Sequence, residues 1–140
     1  MVAATIPNFA QAGQQARQWV DELAEDLNWD VRRAYHLLRS VLQALRDWLS
    51  PEEMADLSAQ LPTLVRGIYF EGWKPSATVG ERKKNAFIMR IESDFSHDLE
   101  NPDVAVAAVF RLLDRHISHG EIAQVRNSMK KSLRELWPSD

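Results

Sequence analysis

Histidines and carboxylates are the first side chains to examine for chemistry. His116 and His119 stand three apart with Glu121 close by, a spacing at which a helix can offer two imidazoles to zinc or iron. A helix break expected at Ser118 falls between them and spoils the shared face. Di-iron helix bundles use paired Glu-x-x-His units. The nearest approach is a single Asp94-x-x-His97, and His36 stands alone. Cysteine is absent, which removes disulfides, thiolate ligands and thiol nucleophiles together. There is no glycine loop to cradle a phosphate and no nucleophile–base–acid set. The expectation is a chain with no metal, no cofactor and no catalytic constellation.

A second group lies between Pro62 and Trp73. Arg66 sits in an apolar run, where a partly buried guanidinium requires a carboxylate. Asp26 is the expected partner, and Arg134 with Asp94 repeats the same offset. The sharper alternative has Arg66 binding an anionic ligand beside Tyr69 and Trp73. Tyr69, Phe70 and Trp73 read either as core packing or as an exposed hot spot for a partner, since Tyr, Trp and Arg dominate such spots. Gly67 and Gly72 would allow close backbone approach there. The candidate interaction surface is therefore Pro62, Arg66, Tyr69, Phe70 and Trp73.

Helices must position these residues. Phe9, Ala12, Ala16, Trp19, Val20, Leu23 and Leu27 recur at steps of three and four, predicting a helix over about 8–27. Asn28 interrupts, and a second helix follows over about 29–49 with Leu38, Val41, Leu42, Leu45, Trp48 and Leu49 facing inward. Ser50-Pro51-Glu52-Glu53 is a capping box with proline at the first helical position. It starts a third helix, which runs to about Gln60 and is broken by Pro62. Thr63 to Phe70 is a fourth. Gly72 to Lys83 lacks helical periodicity and reads as a linker. Further helices begin near Lys84 (stripe Phe87, Ile88, Ile91, Phe95), at Asn101-Pro102 and at Ser118, and a last one spans Met129 to Trp137. No alternating strand pattern of useful length occurs, so the fold class is all-α.

Shifting the first half by 68 positions lays it on the second without a gap. Trp19, Val20, Leu23 and Leu27 fall on Phe87, Ile88, Ile91 and Phe95, and Leu38, Val41, Leu42, Leu45 and Leu49 fall on Val106, Val109, Phe110, Leu113 and Ile117. Ser50/Ser118, Glu53/Glu121, Asp26/Asp94 and Arg66/Arg134 are identical. The pattern predicts one domain over 1–140, built as a tandem repeat: unit one about 8–71, a linker about 72–83, and unit two about 84–138. Neither copy is large enough to cover its own apolar stripes, so the two should pack about a pseudo-twofold axis.

The stretch Ala59 to Ser76 carries a specific signature: Ala59-Gln60-Leu61-Pro62, then Leu64-Val65-Arg66-Gly67, the pair Tyr69-Phe70, and Gly72-Trp73, preceded by Ser50-Pro51-Glu52-Glu53. It closely resembles the bacterial family catalogued as domain of unknown function 2267 (DUF2267), along nearly the whole chain. The resemblance implies an all-helical tandem fold and carries no known activity. The second copy departs from the motif, with Lys130 for Pro62, Ser132 for Leu64 and Glu135 for Gly67.

Charge narrows the partners. The net charge is −3, and the short clusters Arg32-Arg33, Arg82-Lys83-Lys84 and Lys130-Lys131 are interspersed with acids, so neither nucleic acid nor an acidic membrane is expected. The N-terminus has no basic start followed by an apolar run, and a cytoplasmic location is expected. The functional expectation is a non-enzymatic module that binds another protein or itself. The alternative is a small-molecule or metal-binding protein with its site between the repeats.

Overall fold

The computed structural model describes residues 6–75, 83–128 and 134–137. Among these residues there are seven helices and no strand: α1 (Pro7–Leu27), α2 (Val31–Trp48), α3 (Pro51–Ala59), α4 (Thr63–Phe70), α5 (Lys84–Asp94), α6 (Pro102–His116) and α7 (His119–Ser128).

Each break has a local cause. Asn28 adopts the left-handed conformation (φ 55°) and its amide returns to the Glu25 carbonyl, while the Trp29 amide returns to Ala24. Asp30 then caps α2 by accepting from the Arg33 amide at 3.0 Å. Ser50 and Glu53 form a complete capping box at α3. At Ser118 only half of the box forms: the Glu121 amide donates to the Ser118 hydroxyl at 3.3 Å, with no reciprocal bond among the described residues. Burial and the nearby Asp56 charge raise the Glu121 carboxyl above its usual range. After α5, Ser96 and His97 are both left-handed, and the His97 amide returns to the Glu92 carbonyl at 2.8 Å.

α2 and α6 form the centre of the core. α2 packs on α1, α4, α5 and α6, while α6 packs on α1, α2, α5 and α7, and α3 meets α7. The inward stripes of α2 and α6 are fully buried at Leu38, Val41, Leu42, Leu45, Val106, Val109, Phe110 and Leu113. Truncating a single one of these leucines to alanine leaves a cavity and costs about 2–5 kcal/mol.

The start of α1 differs from expectation. Trp19, Val20 and Leu23 are buried, but Phe9 on the same stripe is 74% exposed and Ala12 only half-buried. The exposed residues 6–11 precede the part of α1 that packs on the core, which begins with the half-buried Ala12 and Ala16. Most of the helix expected over Met129 to Trp137 lies outside the described residues. At its end, Leu136 and Trp137 are buried, with Trp137 stacked on Phe110 at 4.4 Å and its indole N–H donating to Asp114 at 2.9 Å. No described helix is long and apolar enough to cross a membrane.

Candidate functional site

The last carbonyls of a helix have no partner within it, so a buried helix end requires outside donors. At the C-terminus of α4 those donors come from α2. The Gln43 amide donates to the Ile68 carbonyl at 3.0 Å, and Arg46 Nη1 donates to the carbonyls of Tyr69 (3.1 Å) and Glu71 (3.0 Å). Arg46 is buried. Its remaining nitrogens grip Asp47, Nε to Oδ1 at 2.9 Å and Nη2 to Oδ2 at 3.1 Å. Arg90 of α5 donates to the same Asp47 carboxylate at 2.7 Å. Burial opposes ionisation of Asp47, but the two guanidinium groups outweigh it and hold the carboxyl below its usual range.

This network forms one wall of a cleft of about 350 Å³ where α2, α4 and α5 meet. It is lined by Arg39, Arg46, Lys74 and Arg90 against Asp47 and Glu71. Four cations face two carboxylates, so the cleft is locally positive in a chain of net charge −3. Glu71 accepts from Arg39 at 2.7 Å, and both side chains are about half exposed. Gly72 closes the rim in a left-handed conformation (φ 75°), which glycine adopts without strain.

The residues singled out from sequence divide between packing and surface. Tyr69 is fully buried and its hydroxyl donates to the Met54 carbonyl at 3.1 Å, so α4 is fastened to α3. Burial pushes its phenol well above the ordinary value. Phe70 is half-buried and bridges two rings edge-to-face, Tyr69 at 5.0 Å and Trp73 at 6.0 Å. Trp73 is 39% exposed, between the cleft-lining Gly72 and Lys74, its amide held by the Phe70 carbonyl at 3.0 Å. Pro62 is half-buried, beside Gln15, Trp19, Gln60 and His116. Gly67 brings no backbone close: a side chain there would meet open space, as it would at Gly72.

Arg66 does not pair with Asp26. Its guanidinium donates to the carbonyls of Ser58 (2.8 Å) and Leu61 (3.0 Å), at the end of α3 and just beyond it. Asp26 accepts instead from Arg115 at 3.0 Å. Asp94 takes the Ser40 hydroxyl at 2.5 Å, and no bond joins it to Arg134 among the described residues. Unpartnered carbonyls at a helix end compete for arginine as effectively as a carboxylate, and sequence spacing does not reveal which is nearer.

A second charged cluster lies between α1 and α6. Arg115 donates to Glu22 at 2.7 Å, and half-buried His116 lies 3.1 Å from both Glu22 oxygens while stacking on Trp19 at 4.7 Å. Burial opposes ionisation of Glu22, but the bonds from Arg115, His116 and Gln18 outweigh it and lower its pKa. Asp114, half-buried and accepting from the Trp137 indole, adds another acid beside Arg115 in α6. Among the described residues no group of three His, Asp or Glu side chains is placed to hold a metal ion.

The sequence reading missed Arg39, Arg46 and Arg90. The signal for Arg46 was present: it occupies the inward position between Leu42 and Leu49, where a charged side chain needs a buried partner.

A family model described as "Uncharacterized conserved protein (DUF2267)" matches residues 16–136. No curated protein matches the chain.

Proposed function

The chain belongs to the DUF2267 family of uncharacterized conserved proteins, and from that premise we propose that it is a non-enzymatic helical module that docks another protein, or a second copy of itself, at the Trp73 rim. The observation that carries this reading is Trp73 itself. It is a large aromatic, 39% exposed, braced edge-to-face by Phe70 and set in the chain between Gly72 and Lys74, which line the cationic cleft. Rigid aromatic anchors beside arginine are the composition of interface hot spots. The chain is read as cytoplasmic, in keeping with its lack of cysteine.

The reading rests also on a tandem repeat whose two units pack about a pseudo-twofold axis. Several pairs of contacts support it. The Trp19–His116 stack has its counterpart, 68 positions on and 68 back, in the Trp48–Phe87 edge contact. The Glu22–Arg115 pair corresponds to Arg90–Asp47 with both charges reversed. The Trp29–Ala24 backbone bond corresponds to His97–Glu92, and Leu49–Leu45 to Ile117–Leu113. Within that frame the cationic cleft belongs to one side alone. Ala107, Asp114 and Glu22 stand where the other side has Arg39, Arg46 and Arg90. What two otherwise matching halves do not share is the natural place for a function.

The test is affinity capture from the native host with wild-type protein and Trp73→Ala, together with light scattering of each. The reading expects a partner, or a self-associated species, that Trp73→Ala loses. A wild-type monomer that retains nothing would sink it.

The cleft also favours a second reading, a small-molecule site at the junction of the units. Its four cations repel a metal ion and suit a small anion. A thermal-shift screen of small carboxylates and phosphates addresses this; no shift with any of them would remove it.

A further inference from the structure

We infer that the partner docked at the Trp73 rim presents an acidic peptide segment, with a carboxylate that displaces Glu71 from Arg39 and a neighbouring apolar side chain that seats against Trp73. The inference rests on the docking reading above and names its partner chemistry. Three observations carry it. The first is the charge of the cleft, four cations to two carboxylates. The second is the unequal hold on those two carboxylates. Asp47 is fixed by Arg46 from two nitrogens and by Arg90 from a third, and it is mostly buried. Glu71 has one ion pair, to Arg39 at 2.7 Å, with both side chains about half exposed. Such an exposed pair is held weakly and exchanges readily. Glu71 therefore occupies the place an incoming carboxylate would take, and Asp47 does not. The third is adjacency along the chain: Glu71, Gly72 and Lys74 line the cleft, and the partly exposed Trp73 stands between the last two.

The rest of the molecule sharpens the choice. The whole chain has net charge −3 although the cleft contributes four cations against two carboxylates, so the rest of the chain is acidic. A long polyanion laid across the surface would meet that repulsion, whereas a short acidic segment confined to the cleft would not.

The test uses the full chain and two end-capped synthetic peptides read by fluorescence polarisation. One sets Asp and Glu around a single Phe and Leu, and the other replaces every acid by Asn or Gln. The acidic peptide is expected to bind about tenfold more tightly than the neutral one, and to weaken as salt rises from about 50 to about 300 mM. Glu71→Gln, which frees Arg39, should strengthen acidic-peptide binding about threefold, and Arg39→Gln should weaken it about fivefold. Arg39 is a surface residue, and circular dichroism checks that its variant folds. Equal binding of the two peptides, binding of neither, or indifference to both Arg39→Gln and Glu71→Gln would overturn the inference. Trp73→Ala separates the two levels. If it abolishes binding of both peptides alike, the docking rim stands and the acidic partner falls. If it leaves acidic-peptide binding unchanged, the aromatic rim falls.

Discussion

Arg46 joins three helices through one side chain. Its guanidinium satisfies two carbonyls at the end of α4 and neutralises Asp47, which in turn holds Arg90 of α5. Removing one member of such a buried set leaves the others unpaired. Arg46→Ala should therefore lower unfolding free energy by about 3–5 kcal/mol in a urea melt. Arg46→Lys should recover little, because an ammonium lacks the planar fork that reaches both a carboxylate and a carbonyl. Acid sensitivity follows from the same network. Asp47 and Glu22 have folded-state pKa values below their ordinary 3.8 and 4.5. Their contribution is present in full above those ordinary values and disappears as pH falls through the lower, folded-state ones. Thermal melts should lose stability mainly below about pH 4.5, and Asp47→Asn should flatten that loss. Glu121, whose pKa is raised, acts in the opposite direction. At this scale the sequence was only partly legible. Adjacent Arg46 and Asp47 look like a solvated pair until the end of α4 is brought over them. Arg66 looked like half of an ion pair until the Ser58 and Leu61 carbonyls, at the end of α3 and just beyond it, supplied nearer acceptors.

Helix starts and stops were far more legible, because their causes are local. The boundaries at Asn28, Ser50, Pro62 and Pro102 each follow from a backbone preference or a cap that a short window contains. The capping box at Ser118 is only half formed, and the Asp56 charge of α3 acts on Glu121, which no window of α7 could show. Periodicity likewise gave the apolar stripe of α1 but not where its neighbours end, so Phe9 lies on that stripe and is exposed. Phe9→Ser should accordingly change stability by no more than about 0.5 kcal/mol. The two glycines of the motif make opposite predictions. Gly67 lies inside α4 with open space around it, so Gly67→Ala should stabilise by about 0.5–1 kcal/mol. Gly72 has a left-handed φ, so Gly72→Ala should destabilise despite equally open space. Chemical denaturation of the two variants side by side checks both signs.

On the scale of the whole molecule, the all-helical class and the family were readable from the stripes and from the motif between Pro62 and Trp73. The charged geometry was not. The position-for-position relation of Arg46 to Asp114, and of Arg90 to Glu22, acquires meaning only when contacts across α2–α5 and α1–α6 are compared. Of the motif residues, Tyr69 fastens α4 to α3 and Trp73 is partly exposed between the cleft-lining Gly72 and Lys74. The proposal that Trp73 meets a partner is tested most directly by placing a photocrosslinking amino acid at position 73 and, as a control, at Val104, an exposed position on α6. The proposal predicts a covalent adduct from position 73 in host extract, to a second copy or to another protein, and little from position 104. Equal adducts from the two positions, or none from position 73, would contradict it.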